Sequence, residues 1–134
     1  MLPRAEARPR RIAVTDDGIV WYGDFAKGFL GRLDPKTGAI KEWPNPSGER
    51  SRPYAMASDG KTVWQFETGI QPNKLVGFDP RTETFFSIND IPSGGGTIRH
   101  IYFDPRTRHL WFGSDVHTIG RSVIPEAPEP RKVS

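Results

Sequence analysis

The chain has 134 residues, one domain at ~100–200 residues per domain. Nineteen Lys and Arg against sixteen Asp and Glu leave a net charge of +3, with acids interleaved among the bases, which argues against the like-charge stripe of a nucleic-acid binder. The absence of Cys excludes disulfides, thiolate chemistry and cysteine-held metals, and the longest apolar runs, residues 19–22 and 54–57, are far too short for a membrane helix.

Residues 1–11 carry charge with no apolar stretch behind them, so they do not read as a signal peptide. An upstream leader would make the chain part of an exported protein. Leu2-Pro3 lines up with Trp43-Pro44 and Ile91-Pro92, so residues 1–11 read as the end of a preceding blade.

From residue 12 a repeat sets the phase. Trp21, Trp64 and Trp111 are 43 and 47 residues apart, close to the roughly 40–50 residues of one propeller blade. An apolar strand a precedes each Trp (residues 12–18, 54–60 and 100–107), and in the first two copies it ends in an Asp-Gly turn suited to a hairpin. Strand b holds the Trp. Strand c follows at 29–38, 74–83 and 118–125, and the first two copies add an outer strand d at 39–44 and 84–92. The string Asp-Pro-[Lys/Arg]-Thr at 34, 79 and 104 does not keep the Trp spacing, so it marks turns rather than phase. No window keeps a helical period. The expected fold is therefore all-β: a partial β-propeller of about three four-stranded antiparallel blades (12–44, 54–92 and 98–125), the last without its outer strand, and then a flexible tail over 126–134.

Three stretches carry a family resemblance. They are Val20-Trp21-Tyr22-Gly23-Asp24 with Leu30-Gly31-Arg32-Leu33, Val63-Trp64-Gln65-Phe66-Glu67 with Leu75-Val76-Gly77-Phe78, and Leu110-Trp111-Phe112 with Ile119-Gly120-Arg121. Over residues 2–124 this pattern resembles the streptogramin lyase (virginiamycin B lyase) family of β-propellers. The resemblance implies a seven-bladed wheel, of which this chain supplies the C-terminal part.

In an antiparallel a–b–c–d order the b–c loops share one end of every blade with the d–a links at 1–11, 45–53 and 93–99. Asp24 and Glu67 follow their Trp by three residues; Ser114 holds that place in the third copy, with Asp115 one further on. Carboxylates converging there suit a hard cation such as Mg²⁺; equally, each suits hydrogen bonds from loop amides or a pairing with Arg. Arg11, Tyr54 and His100 precede strand a at matching places and are read as lining the channel mouth. Arg8, Arg10, Arg11, Arg50, Arg52 and Arg99 recur in the links, where guanidiniums bind carboxylate or phosphate or else pair with Asp24, Glu67, Asp115 and Glu49. Substrate binding is thus assigned to Arg11, Arg52, Tyr54 and Arg99. The resemblance implies a His before the last blade's first strand, a metal-binding Glu after its Trp and a second His in the next loop. His100 matches the first, Ser114 and Asp115 stand where the Glu belongs, and His117 takes the place of the second.

The implied reaction is elimination: a His takes a proton α to a carbonyl and a cyclic ester opens without water. The alternative is a non-catalytic module that binds a small molecule or a protein. His109 sits at the opposite end and is set aside. Gly94-Gly95-Gly96 lacks the helix and Lys-Ser/Thr pair of a phosphate loop and reads as a flexible link. The three Trp are read as inter-blade core. Because an arc of blades leaves two faces bare, the expected partners are further copies of the chain or missing upstream blades, with residues 1–4 of a second copy able to add the absent outer strand.

Overall fold

The computed structural model describes residues 1–129; residues 130–134, the end of the expected tail, lie outside the described residues. Eleven strands form three antiparallel meanders. Blade 1 holds β1 (Pro9–Val14), β2 (Val20–Asp24), β3 (Phe29–Leu33) and β4 (Ile40–Pro44). Blade 2 holds β5 (Pro53–Ser58), β6 (Val63–Glu67), β7 (Lys74–Asp79) and β8 (Thr84–Asp90). Blade 3 has three strands among the described residues: β9 (Ile101–Asp104), β10 (His109–Gly113) and β11 (Ile119–Val123). A 3-10 turn at Gly48–Ser51, with no counterpart in the sequence reading, lies in the link between blades 1 and 2. Strand β1 starts at Pro9 rather than at residue 12, and the Arg4 guanidinium lies 3.8 Å from the Phe29 ring centre and 3.4 Å from Glu42, holding the N-terminal segment on blade 1.

The Asp-Pro-[Lys/Arg]-Thr strings are turn chemistry in all three places. The amides of Lys36, Arg81 and Arg106 donate to the Asp34, Asp79 and Asp104 carboxylates at 2.9, 2.9 and 3.0 Å, each Asp mimicking a backbone turn. The third copy joins β9 to β10, the a–b position that its broken spacing implied.

Strand β1 lies beside β5, and β5 beside β9, so the first strand of each blade faces the shared axis. Alternation along strands sends one side of each sheet to each neighbour. Ile19, Trp21, Leu30, Met56, Val63 and Phe78 fill the layer between blades 1 and 2. Trp64, Phe66, Leu75, Leu110 and Phe112 belong to the layer between blades 2 and 3. The buried indoles keep their hydrogen bonds: Trp21 Nε1 donates to Thr15 Oγ1 at 3.1 Å and Trp64 Nε1 to Thr62 Oγ1 at 3.0 Å. The turn ends are stitched by the Asp16 amide on the Gly60 carbonyl and by Arg108 on Asp59, both at 2.8 Å.

Trp111 departs from the other two. It points toward the side of blade 3 that has no neighbour among the described residues and is 40% exposed, in a stripe with Tyr102 (62%), Ile119 (82%) and Val123 (65%). Trp21 and Trp64 each face the following blade; the same register aims Trp111 outward. Residues 126–129 of the expected tail lie against the turn end, where Arg81 donates to the Pro128 carbonyl at 3.1 Å.

Candidate functional site

The loop end of the arc collects the b–c loops and the d–a links. Its acids are occupied. Asp24 ends β2 fully buried, and its Oδ1 accepts the amides of Arg8 (2.9 Å), Ala26 (3.1 Å) and Lys27 (3.3 Å). Glu67 ends β6, also fully buried, and accepts the Ser47 amide at 3.0 Å and the Ser47 hydroxyl at 2.7 Å. Asp115 takes Arg99 Nη1 on both oxygens at 2.9 Å. Each acid ties its blade to the link that enters it. The expected convergence on a cation is therefore corrected: two of the three carboxylates are buried in separate loops and the third is held by a guanidinium. Among the described residues no three His, Cys, Asp or Glu side chains group as a metal site. The donor set does not fit Mg²⁺, although Asp24 Oδ2 remains buried without a partner.

The match of Arg11, Tyr54 and His100 is also corrected, by one residue. Ile12, Met56 and Ile101 pair with Tyr22, Gln65 and Phe112, each the residue after a Trp. The residues preceding them, Arg11, Ala55 and His100, are the equivalent set, and Tyr54 belongs with Arg10 and Arg99. The cause is turn length: five residues separate the paired Val14 and Val20 in blade 1 but four separate Ser58 and Val63 in blade 2, while a bulge in β1 between Pro9 and Ile12 recurs in β5 between Pro53 and Met56. A bulge turns an extra side chain out of the ladder.

Those bulges build a cluster. The Phe25 and Tyr54 rings meet edge-on, 5.8 Å between centres. The Arg10 guanidinium lies 4.8 Å from Phe25 and 5.9 Å from Tyr54, Arg11 lies 5.3 Å from Tyr54, and Arg52 lies 5.5 Å from Phe25. Arg11 Nε donates to the Arg99 carbonyl at 3.2 Å, joining the cluster to the link before blade 3. Three of the four residues expected to bind substrate, Arg11, Arg52 and Tyr54, thus come together, with Arg99 adjoining. Phe25 was missed, although its place directly after Asp24 in the first b–c loop was a usable signal.

His100 is exposed and lines a cleft of about 460 Å³ with Arg99, Trp111, Ser114 and Asp115. His117 is exposed in the β10–β11 turn with a left-handed backbone, φ 63°. Both lie at the loop end of blade 3, and His109 lies at the other end of β10, as the strand order requires.

The triple glycine is ordered rather than loose. Gly94, Gly95 and Gly96 all have positive φ (86, 84 and 63°), a conformation that suits glycine. Their carbonyls accept from the Asn73 amide (2.7 Å), the Asp115 amide (3.2 Å) and Asn73 Nδ2 (2.9 Å).

Three four- or three-stranded meanders arrayed about one axis define an arc of a β-propeller. Solved structures bear this out: the chain is similar to a catalytically inactive variant of virginiamycin B lyase from Staphylococcus aureus with quinupristin (24% identity, TM-score 0.72, 92% of this chain and 44% of that one). It is also similar to streptogramin B lyase (21%, 0.66, 94% and 44%) and to Kuenenia stuttgartiensis hydrazine synthase (14%, 0.68, 84% and 31%). The chain spans less than half the length of each, and at such identity the likeness is one of fold. No protein-family model matches the chain. No curated protein matches it in sequence.

Proposed function

We propose that this chain is the binding arc of a streptogramin-lyase-like propeller, which takes a small polar ligand at its loop end without a metal-assisted reaction. One observation carries this reading. The loop-end acids are spent on clamping links, whereas Arg10, Arg11 and Arg52 are exposed, without a carboxylate partner among the described residues, beside the half-buried Phe25 and Tyr54 rings. Recognition groups are free there and metal ligands are not.

A second reading, C–O lyase chemistry, is favoured by His100 standing exposed beside Arg99 in the blade 3 cleft. In that reaction the His100 imidazole accepts a proton α to a carbonyl, a C=C bond forms, and the alkyl–oxygen bond of a cyclic ester breaks with its carboxylate leaving. His117 would be the second acid–base group, and Asp24, Glu67 and Asp115 would have to rearrange to hold Mg²⁺. Incubation with quinupristin separates the two readings. Binding leaves it intact; elimination gives an opened product of unchanged mass, lost with His100→Ala and with EDTA. Such a product would overturn the first reading.

The open faces bear on partners. The stripe of Tyr102, Trp111, Ile119 and Val123 suits burial against another blade, supplied by a second copy of the chain or by blades of a longer protein.

A further inference from the structure

We propose that the loop end of blades 1 and 2 is a site for a small multivalent oxyanion, a phosphate ester or a polycarboxylate, gripped by Arg10, Arg11 and Arg52 above the Phe25–Tyr54 ring pair. The inference rests on the loop end being a binding face and adds the class of ligand.

Charge accounting is the first support. Every acid at this end is engaged. Asp24 and Glu67 are taken as described, Asp115 holds Arg99, Lys27 holds Glu6 at 2.8 Å and Glu49 at 3.7 Å, and Lys74 holds Asp90. The ammonium of Lys27 keeps the Glu6 carboxyl below its ordinary range through a hydrogen bond and its charge. Among the described residues Arg8, Arg10, Arg11, Arg50 and Arg52 have no carboxylate partner. Like charges gathered on one small surface repel, and an anion bearing two or more charges relieves that repulsion.

Geometry is the second. Three guanidiniums share one ring pair. Cation–π contact uses the attraction between guanidinium and ring and limits the rotamers of a long side chain. The N–H groups of Arg10 and Arg52, and the Nη groups of Arg11, whose Nε is taken by the Arg99 carbonyl, remain donors suited to paired oxygens, the geometry that favours carboxylate and phosphate.

Backbone strain is the third. Arg52 sits in the left-handed region at φ 44°, ψ 65°, where a non-glycine side chain is uncommon. Its carbonyl accepts the Thr68 hydroxyl at 2.7 Å and the Thr68 amide at 3.3 Å, which fixes this conformation. The backbone held this way sets the Arg52 guanidinium 5.5 Å from the Phe25 ring, and glycine would take the same conformation without the side chain.

Calorimetric titration of the chain with pyrophosphate, and separately with citrate, tests this. Both should bind at one site, more weakly as salt rises, and the tighter of the two identifies phosphate or polycarboxylate as the natural source. Arg10→Ala and Arg52→Gly should each weaken binding about tenfold or more, a tenfold loss being ~1.4 kcal/mol. Arg52→Gly should melt no lower than the parent chain, which a merely structural arginine would not allow. Arg106→Ala, exposed at the turn end, should bind as the parent does. Absence of heat with both anions, or equal weakening by Arg106→Ala, would overturn the proposal. If quinupristin shifts loop-end amides while neither anion binds, the oxyanion inference falls and the binding face stands; if no probe touches the loop end, both fall.

Discussion

A methyl group added at Gly77 probes the packing that holds blades 2 and 3 together. Its Cβ would sit 2.7 Å from Cη2 of Trp64 and 2.8 Å from Cζ2 and Cζ3. Carbon atoms rest at ~3.5–4.0 Å, so ring or strand must move by about 1 Å. The ring has little room. Trp64 is fully buried, meets Phe86 edge-on at 5.5 Å between centres, and donates its indole N–H to Thr62. Overpacking of this kind costs about 1–3 kcal/mol. At ~2.1 cal/mol/K per residue, a chain of this length loses roughly 3.5 °C per kcal/mol, so Gly77→Ala should melt about 4–11 °C lower. Gly113 is the control: it lies in β10 with nothing within 4 Å of its added Cβ. Gly113→Ala should melt at or slightly above the parent, because alanine restricts the unfolded chain. Thermal melts followed by circular dichroism read both. Equal melting of Gly77→Ala and the parent, or an equal fall for Gly113→Ala, would refute the blade packing described.

Thr62→Val should cost about 1–3 kcal/mol in a denaturant melt, since it strands a buried indole donor. Burial alone would raise the Asp59 carboxyl, but the Thr62 amide and Arg108, with further hydrogen bonds, hold it below its ordinary range. A lowered folded pKa adds stability above the unfolded value of about 3.9 that is lost as pH falls through the folded value, so the deficit of Arg108→Ala should shrink on acidification below about pH 4. A deficit constant from pH 7 to pH 3 would contradict that role. If a second copy covers blade 3, Trp111→Asp should shift sedimentation toward a single-chain mass and lower the concentration-dependent melting temperature; a wild-type chain that already sediments as a folded monomer at micromolar concentration would remove the second copy as the cover.

The fold was legible because its signals are periodic. Three Trp at near-equal spacing, Asp-Gly turns and Asp-Pro turns mark strand ends directly, and the strands fall where those marks put them. The site was less legible because its geometry depends on features without a composition. The a–b turn of blade 2 is one residue shorter than that of blade 1, which hydrophobic pattern does not reveal, so Tyr54 matches His100 by pattern when its true counterparts are Arg10 and Arg99. The acids at Asp24, Glu67 and Asp115 were visible, but spacing alone does not tell a converging carboxylate from one bonded to its own loop amides. Burial decides that, through neighbours distant in sequence such as Arg8 and Ser47. Three adjacent glycines look alike whether they are loose or each held at positive φ. The exposure of Trp111 follows from its being on the last blade, which a repeat by itself hides.

Amide chemical-shift mapping of the isotopically labelled chain, with pyrophosphate and then quinupristin added, tests most directly whether the loop end is the binding face. Perturbations should gather at residues 10–11, 24–28, 45–54, 93–100 and 114–118, with the turns at 15–18, 34–39, 59–62, 79–83 and 104–108 left in place. Shifts confined to those turns, or no shifts with either compound, would contradict it.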